Sequence, residues 1–186
     1  MNFLDIKPLP PTPEEMARQR KWDFRMLSMA RLVSMWSQDP STRVGAVITR
    51  RDHTVLSLGY NGFPRGCSDA PELYEDRERK YARVVHAELN AILAAAERPI
   101  GCTLYVWPPA LRPGTCANCA SAIIQSGISR VVSVESNAIG FNERWEKSYR
   151  EAAQMYAEAL IPFDSYPLAE FEEWMKAMSA PPFSAP

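Results

Sequence analysis

The sequence predicts an α/β fold: a central mixed sheet of about five strands with helices on both faces. Two observations carry this. First, two apolar stretches at 44–50 and 54–60 are separated only by Arg51-Asp52-His53, which reads as a β-hairpin. Second, strand-like and helix-like segments alternate beyond it, the order that produces helix-connected strands in a sheet covered on both sides. With 186 residues, 46% of them hydrophobic, the chain has enough material for one domain with a sizeable core.

Residues 1–13 carry Pro8, Pro10, Pro11 and Pro13 and are expected to form an extended arm. A helix follows from Glu14 to Ser37, where Trp22, Met26, Met29, Val33 and Trp36 recur at spacings of four and three as one apolar stripe for the core. Asp39-Pro40-Ser41-Thr42 ends it, and the hairpin begins. His53, in the turn among charged residues, reads as a solvated surface histidine. The mixed charges of 69–83 balance one another and read as a solvated connection, with short helical potential at Glu75 to Lys80.

Ala87 to Ala96 favours helix strongly, and Pro99 and Gly101 close it. Cys102 to Trp107 reads as a buried strand, and Pro108, Pro109 and Pro113 as a stiff loop ending at Thr115, a good N-cap for the next helix. Gly127 stops that helix, and Arg130 to Glu135 is the next strand. A helix at Asn142 to Ala159, a short final strand at Ala159 to Phe163, and an amphipathic helix at Pro167 to Met178 complete the order. The domain boundaries expected from this are 1–13 for the arm, 14–165 for the main domain, and 166–186 for a C-terminal helix and tail.

The chemistry concentrates in two stretches. His86-Ala87-Glu88 places a metal-type ligand and a carboxylate at a helix start, where first-turn side chains converge and the helix dipole is positive. Cys116-Ala117-Asn118-Cys119 places two thiols on one side of a second helix start, where the dipole favours thiolate. His86, Cys116 and Cys119 make three protein ligands, the number that catalytic zinc sites use with water in the open position. Two other readings stand beside this one: a redox pair of thiols, or a structural zinc completed by Cys67 or Cys102. A third stretch, Gly59-Tyr60-Asn61-Gly62-Phe63-Pro64-Arg65-Gly66, is either a turn needing positive φ at its glycines or a close backbone approach to a ligand, with Asn61 offering donor and acceptor.

His-x-Glu followed by Cys-x-x-Cys resembles the signature of the zinc-dependent nucleobase deaminases. More closely, the chain resembles the deoxycytidylate (dCMP) deaminase family. The matching pieces are Asp39 to Ile48, Gly59 to Gly66, His86 to Ile92, Thr103 to Trp107 and Cys116 to Gly127. Thr115 stands where the family usually has proline, and Asn137 where many members carry a tyrosine associated with the substrate phosphate. The resemblance implies a three-layer α/β/α cytidine-deaminase-like fold. It also implies Zn2+ on His86, Cys116 and Cys119, with Glu88 as the acid–base group in hydrolysis of dCMP to dUMP and ammonia. Other cytosine nucleotides (dCTP, CMP, 5-substituted dCMP), RNA editing, and an inactive zinc-binding module are the alternatives. Substrate contacts are expected at Asn61, Ala87, Arg43 and Arg65, and Lys80 and Arg83 are further candidates for the phosphate. The resemblance also implies a homo-oligomer, dimer or hexamer, and allows dCTP and dTTP as allosteric effectors.

A net charge of −1 gives no electrostatic case for nucleic acid. No apolar run approaches the ~20 residues of a membrane helix, and no signal-peptide pattern opens the chain. With only four cysteines, the expected location is a reducing cytoplasm.

Overall fold

The computed structural model describes residues 10–110, 112–136 and 143–179. In chain order these form α1 (Pro13–Ser34), β1 (Gly45–Thr49), β2 (Val55–Tyr60), α2 (Glu72–Glu75), α3 (Arg77–Arg83), α4 (Ala87–Ala94), β3 (Thr103–Ala110), α5 (Ala117–Ser126), β4 (Arg130–Glu135), α6 (Glu143–Glu158), β5 (Phe163–Pro167) and α7 (Leu168–Ser179). Asn137, residues 1–9 of the arm and residues 180–186 of the tail lie outside the described residues.

The sheet order is β2-β1-β3-β4-β5. β1 is antiparallel to both β2 and β3, while β3, β4 and β5 run parallel, so the sheet is mixed as expected. This topology positions the site. Since β2 and β3 both oppose β1, they point the same way and the chain leaves both at the same sheet edge. α5 follows β3, and α4 follows β2 after the short helices α2 and α3; the two helices pack together.

Helices cover both faces, in three layers. α1 and α7 lie on one face around Phe24, Leu27, Tyr105, Val132 and Phe171. α4, α5 and α6 lie on the other around Ala91, Leu104, Ile123, Val131 and Tyr156. Two glycines set the spacing. A Cβ at Gly45 would stand 2.1 Å from the Ala30 carbonyl of α1, and one at Gly59 would stand 2.3 Å from the Ala87 carbonyl of α4. Gly59 therefore serves the approach of a helix to a strand.

Several local expectations are corrected. α1 ends at Ser34, three residues early, and Trp36 is exposed against Tyr60. Of the expected stripe, Met26 and Val33 are buried and Trp22 and Met29 are half-buried; the helix turns its Phe24, Leu27 and Ala30 side to the sheet because Ala30 meets Gly45 there. At the other end, Thr12 caps α1 with a reciprocal Glu15 bond, and Pro13 occupies the first turn. His53 is not simply solvated, for its ring stacks on Trp22 at 4.4 Å. β3 runs past Trp107 to Ala110, since Pro108 and Pro109 fall in a register shift against β4 where their missing N–H groups interrupt no ladder. The last strand starts at Phe163 rather than Ala159, because α6 unwinds through Leu160 in a left-handed conformation first.

Candidate metal centre and active site

His86 is the N-cap of α4 and Cys116 the N-cap of α5, and neither side chain caps its own helix. Both turn instead toward each other. His86 Nδ1 lies 3.5 Å from Cys116 Sγ and 3.3 Å from Cys119 Sγ. The three ligand atoms all lie within 4.8 Å of one another. Thr115 is not the cap of α5; it is buried and its hydroxyl bonds Tyr156 at 2.8 Å. The first amide of α5, Ala117 N–H, is satisfied from α6 by Ser148 at 3.0 Å.

These separations fit a small tetrahedral ion. With Zn–S near 2.3 Å and Zn–N near 2.0–2.1 Å, a tetrahedral angle puts nitrogen and sulfur about 3.6 Å apart. The charge state fits too. The Cys116 thiol is pulled down to about 4 by its hydrogen bond with Cys119, against burial and with help from His86. His86 is pushed up to about 8 by its hydrogen bond to Cys116, against burial and with help from the Glu88 charge. Cys119, left holding the shared proton, is pushed far up by Cys116, burial and Glu88. A divalent cation would resolve this competition by drawing the proton off the second thiol. Cys67 is exposed and Cys102 is buried just before β3, and neither joins the cluster.

Glu88, one residue inside the first turn of α4, is 4% exposed. Burial pushes its carboxyl above the usual carboxylate range, opposed by His86. It opens with His86 and Cys116 on a cavity of about 590 Å³, within the usual size of a small-molecule site. Trp145 and Tyr149, one turn apart on α6, form an aromatic part of the wall, with the Trp145 ring 6.4 Å from His86. Burial pushes the Tyr149 hydroxyl up to about 12, with the negative charge of Glu88 and the thiols adding to it.

Asn61 also lines the cavity. Its amide is engaged by the chain itself: Oδ1 accepts from Val44 N–H at 2.7 Å, and Nδ2 donates to the Thr42 carbonyl at 2.9 Å. Ala87 is fully buried between His86 and Glu88. Arg43 and Arg65 are exposed and do not line the cavity, and Arg83 does not either. Lys80 and Arg77 do. Lys80 was expected on a solvated face, but it is 8% exposed and paired with Asp39 at 2.7 Å. Sequence reasoning missed Trp145 and Tyr149 as wall residues, although their spacing of four put both on one face of a helix.

Residues 20–135 match the sequence profile of the cytidine and deoxycytidylate deaminase zinc-binding region. The chain belongs to that family. Among its relatives is an uncharacterized deaminase from the luxG 3′ region of Aliivibrio fischeri, 41% identical over 150 residues that make up 80% of this chain and 95% of the relative. Another is mouse deoxycytidylate deaminase, 34% identical over an alignment of 160 positions that covers 78% of this chain and 87% of the relative. A crystal structure of dCMP deaminase from the cyanophage S-TIM5 superposes with a TM-score of 0.56 at 19% identity, covering 83% of this chain and 99% of the phage protein. At that identity the likeness establishes the fold: the family's α/β/α architecture with its five-stranded mixed sheet. No helix among the described residues is long and apolar enough to cross a membrane.

Proposed function

We propose that this chain is a zinc-dependent hydrolase that converts dCMP to dUMP with release of ammonia. The observation that carries the reading is the convergence of His86, Cys116 and Cys119 with the buried Glu88 carboxyl on one cavity. The relatives named deoxycytidylate deaminase, and a phage dCMP deaminase of the same fold crystallised with dCMP and dUMP, support the choice of substrate. His86, Cys116 and Cys119 would hold the zinc, which when bound supplies the Lewis acidity that activates water near neutral pH.

The remaining work falls to side chains of this chain. Glu88 takes a proton from the attacking water as its oxygen bonds to C4 of the cytosine, and delivers that proton to ring N3. It then relays the second water proton to the departing amine, so that C4 gains a carbonyl and ammonia leaves. A carboxyl that burial pushes upward suits a group that must hold and release a proton within one cycle. Trp145 and Tyr149 give the pyrimidine an apolar wall that also displaces bulk water.

Arg77 is the proposed phosphate contact. Lys80 and Arg77 are the lysine and arginine side chains among the described cavity residues, and Lys80 is neutralised by Asp39. Arg77 Nε donates to the Tyr81 hydroxyl at 3.3 Å, which leaves its terminal nitrogens to offer a phosphate a bidentate pair. Four free cysteines and no paired ones among the described residues suit a reducing cytoplasm.

The test is ammonia release from dCMP, deoxycytidine and a tRNA anticodon stem, with zinc per chain measured on the same preparation. One zinc and a kcat/KM for dCMP at least about 100-fold above that for deoxycytidine are expected, the worth of two charge-assisted hydrogen bonds. Equal rates on dCMP and deoxycytidine would remove the phosphate from the reading, and activity on the tRNA alone would overturn it.

A further inference from the structure

α3 presents a single face to the cavity. Arg77, Lys80, Tyr81 and Val84, at positions i, i+3, i+4 and i+7, all line it. Yet this helix is only seven residues long and packs chiefly on its neighbour α2, away from the sheet. Contacts at its two ends and in its middle tie it to the rest of the fold. Next to its C-terminal end, Val85 forms an isolated bridge with Gly62. Before it, Tyr74 of α2 stacks on Phe63 at 4.2 Å. In its middle, Lys80 reaches across to Asp39, forty-one positions away in sequence.

That ion pair is the anchor of a buried polar cluster. Asp39 Oδ1 accepts from Lys80 Nζ at 2.7 Å, from Ser41 N–H at 2.9 Å and from Thr42 N–H at 3.1 Å, while Oδ2 faces Asn61 Nδ2 at 3.4 Å. Asp39 is 1% exposed and Lys80 8%. Burial pushes the Asp39 carboxyl up, but Lys80 and the Ser41 and Thr42 amides outweigh it and hold it below the usual range. Removing two charges from water costs several kcal/mol per ion, and a well-packed apolar pair stabilises a fold as well or better. What the pair does geometrically is tie the middle of α3 to the turn that precedes β1.

We infer that Asp39 and Lys80 are a positioning pair that sets the rotation of α3 and so aims Arg77 at the phosphate of the bound nucleotide. Arg77 sits one turn before Lys80 on the same helix face, so a helix free to roll about its axis would carry the guanidinium away from the cavity. The pair's hydrogen bonds run to Ser41, Thr42 and Asn61 and not to the metal ligands. Its loss should therefore weaken recognition of the phosphate and spare the chemistry. This inference rests on the proposed dCMP deaminase activity and on Arg77 as phosphate contact.

The experiment compares wild type, Lys80→Met, Asp39→Asn and the double variant for KM and kcat on dCMP and on deoxycytidine, with zinc measured in each. The double variant buries no lone charge, so it keeps the comparison open if a single variant folds poorly. Expected is a rise in KM for dCMP of at least about tenfold, the loss of one charge-assisted hydrogen bond, in all three variants. KM for deoxycytidine, kcat and zinc content should stay within about twofold, and the double variant should be no worse than the worse single one. The binding counterpart is the rise in Tm that dUMP gives over deoxyuridine, which the variants should lose. An unchanged KM for dCMP, or a parallel loss on both substrates with loss of zinc, overturns the positioning role. A wild-type enzyme inactive on dCMP instead overturns the functional reading itself.

Discussion

On the face of the sheet that meets α4, α5 and α6, many buried residues are small, among them Ala46, Ala87, Ala91, Ala120 and Ala152. The face under α1 and α7 is filled instead by Phe24, Tyr105 and Phe171, with Trp107, Tyr166 and Trp174 packed against them. The contrast follows from what each face must do. Small residues let backbones come close, and close backbones are what bring two helix N-termini within a single ion's reach. The aromatic face does not place reacting groups; it supplies buried area and stiffness.

The aromatic face also encloses a polar lock. Arg130 grips Asp23 with two hydrogen bonds of 2.8 and 2.7 Å, Tyr105 and Tyr166 donate to the same carboxylate at 3.0 and 2.7 Å, and Asp23 is fully buried. This joins α1 to β3, β4 and β5, so it holds the sheet's register from the side opposite the metal cluster.

If the faces divide labour in this way, damage to each should read out differently. Phe171→Ala removes a fully buried ring from contacts with Phe24 and Trp107. It should cost about 3–5 kcal/mol in denaturant unfolding while the folded fraction keeps its zinc and its kcat. Asp23→Asn leaves Arg130 without its buried partner and should cost about 3 kcal/mol, again with kcat unchanged.

The same carboxylate predicts a pH dependence. Burial pushes the Asp23 carboxyl up, but Arg130, Tyr166 and Gln19 outweigh burial and hold it below the ordinary value. A depressed folded pKa means the stabilisation is complete above the unfolded value, near pH 4, and is lost as pH falls through the folded value. The urea midpoint of the wild type should therefore fall more steeply below about pH 4 than that of Asp23→Asn. Parallel curves would remove Asp23 from the acid response.

Gly59→Ala tests the other face with the smallest change. An added methyl would stand 2.3 Å from both the Ala87 carbonyl and the Ala91 amide, so α4 must shift. The expected cost is only about 1–3 kcal/mol, yet zinc affinity and turnover should both fall because His86 and Glu88 ride on that helix. Full activity with full zinc would show that the close approach of α4 does not set the site.

What could be read from the sequence was local or periodic. The hairpin, the helix starts at His86 and Cys116, and the stop at Gly127 each depend on a few neighbouring residues, and the expectation of a mixed sheet covered on both faces followed from them. The misses were long-range. Lys80 looked solvated among Glu75, Asp76 and Glu78 because the residue that neutralises it, Asp39, lies beyond the hairpin. Asp23, inside a charged helix, gave no sign of its pairing with Arg130, 107 positions away. Thr115 has the right chemistry for a cap but is drawn to Tyr156 of a later helix, and the cap passes to Cys116. Arg43, inside the matched Asp39 to Ile48 stretch, is exposed and does not line the cavity, whereas Arg77 of α3 does.

The central claim is that His86, Cys116 and Cys119 hold a zinc ion beside which Glu88 moves protons. Glu88→Gln tests it most directly, because the amide keeps the size of the side chain and cannot carry the proton. Zinc per chain and ammonia release from dCMP should be measured on the same purified variant. The account predicts one zinc per chain, an unchanged fold by circular dichroism, and turnover lowered by at least about 10²–10⁴-fold, the usual worth of a general acid–base group. A variant that keeps more than about a tenth of wild-type turnover with its zinc in place would contradict it.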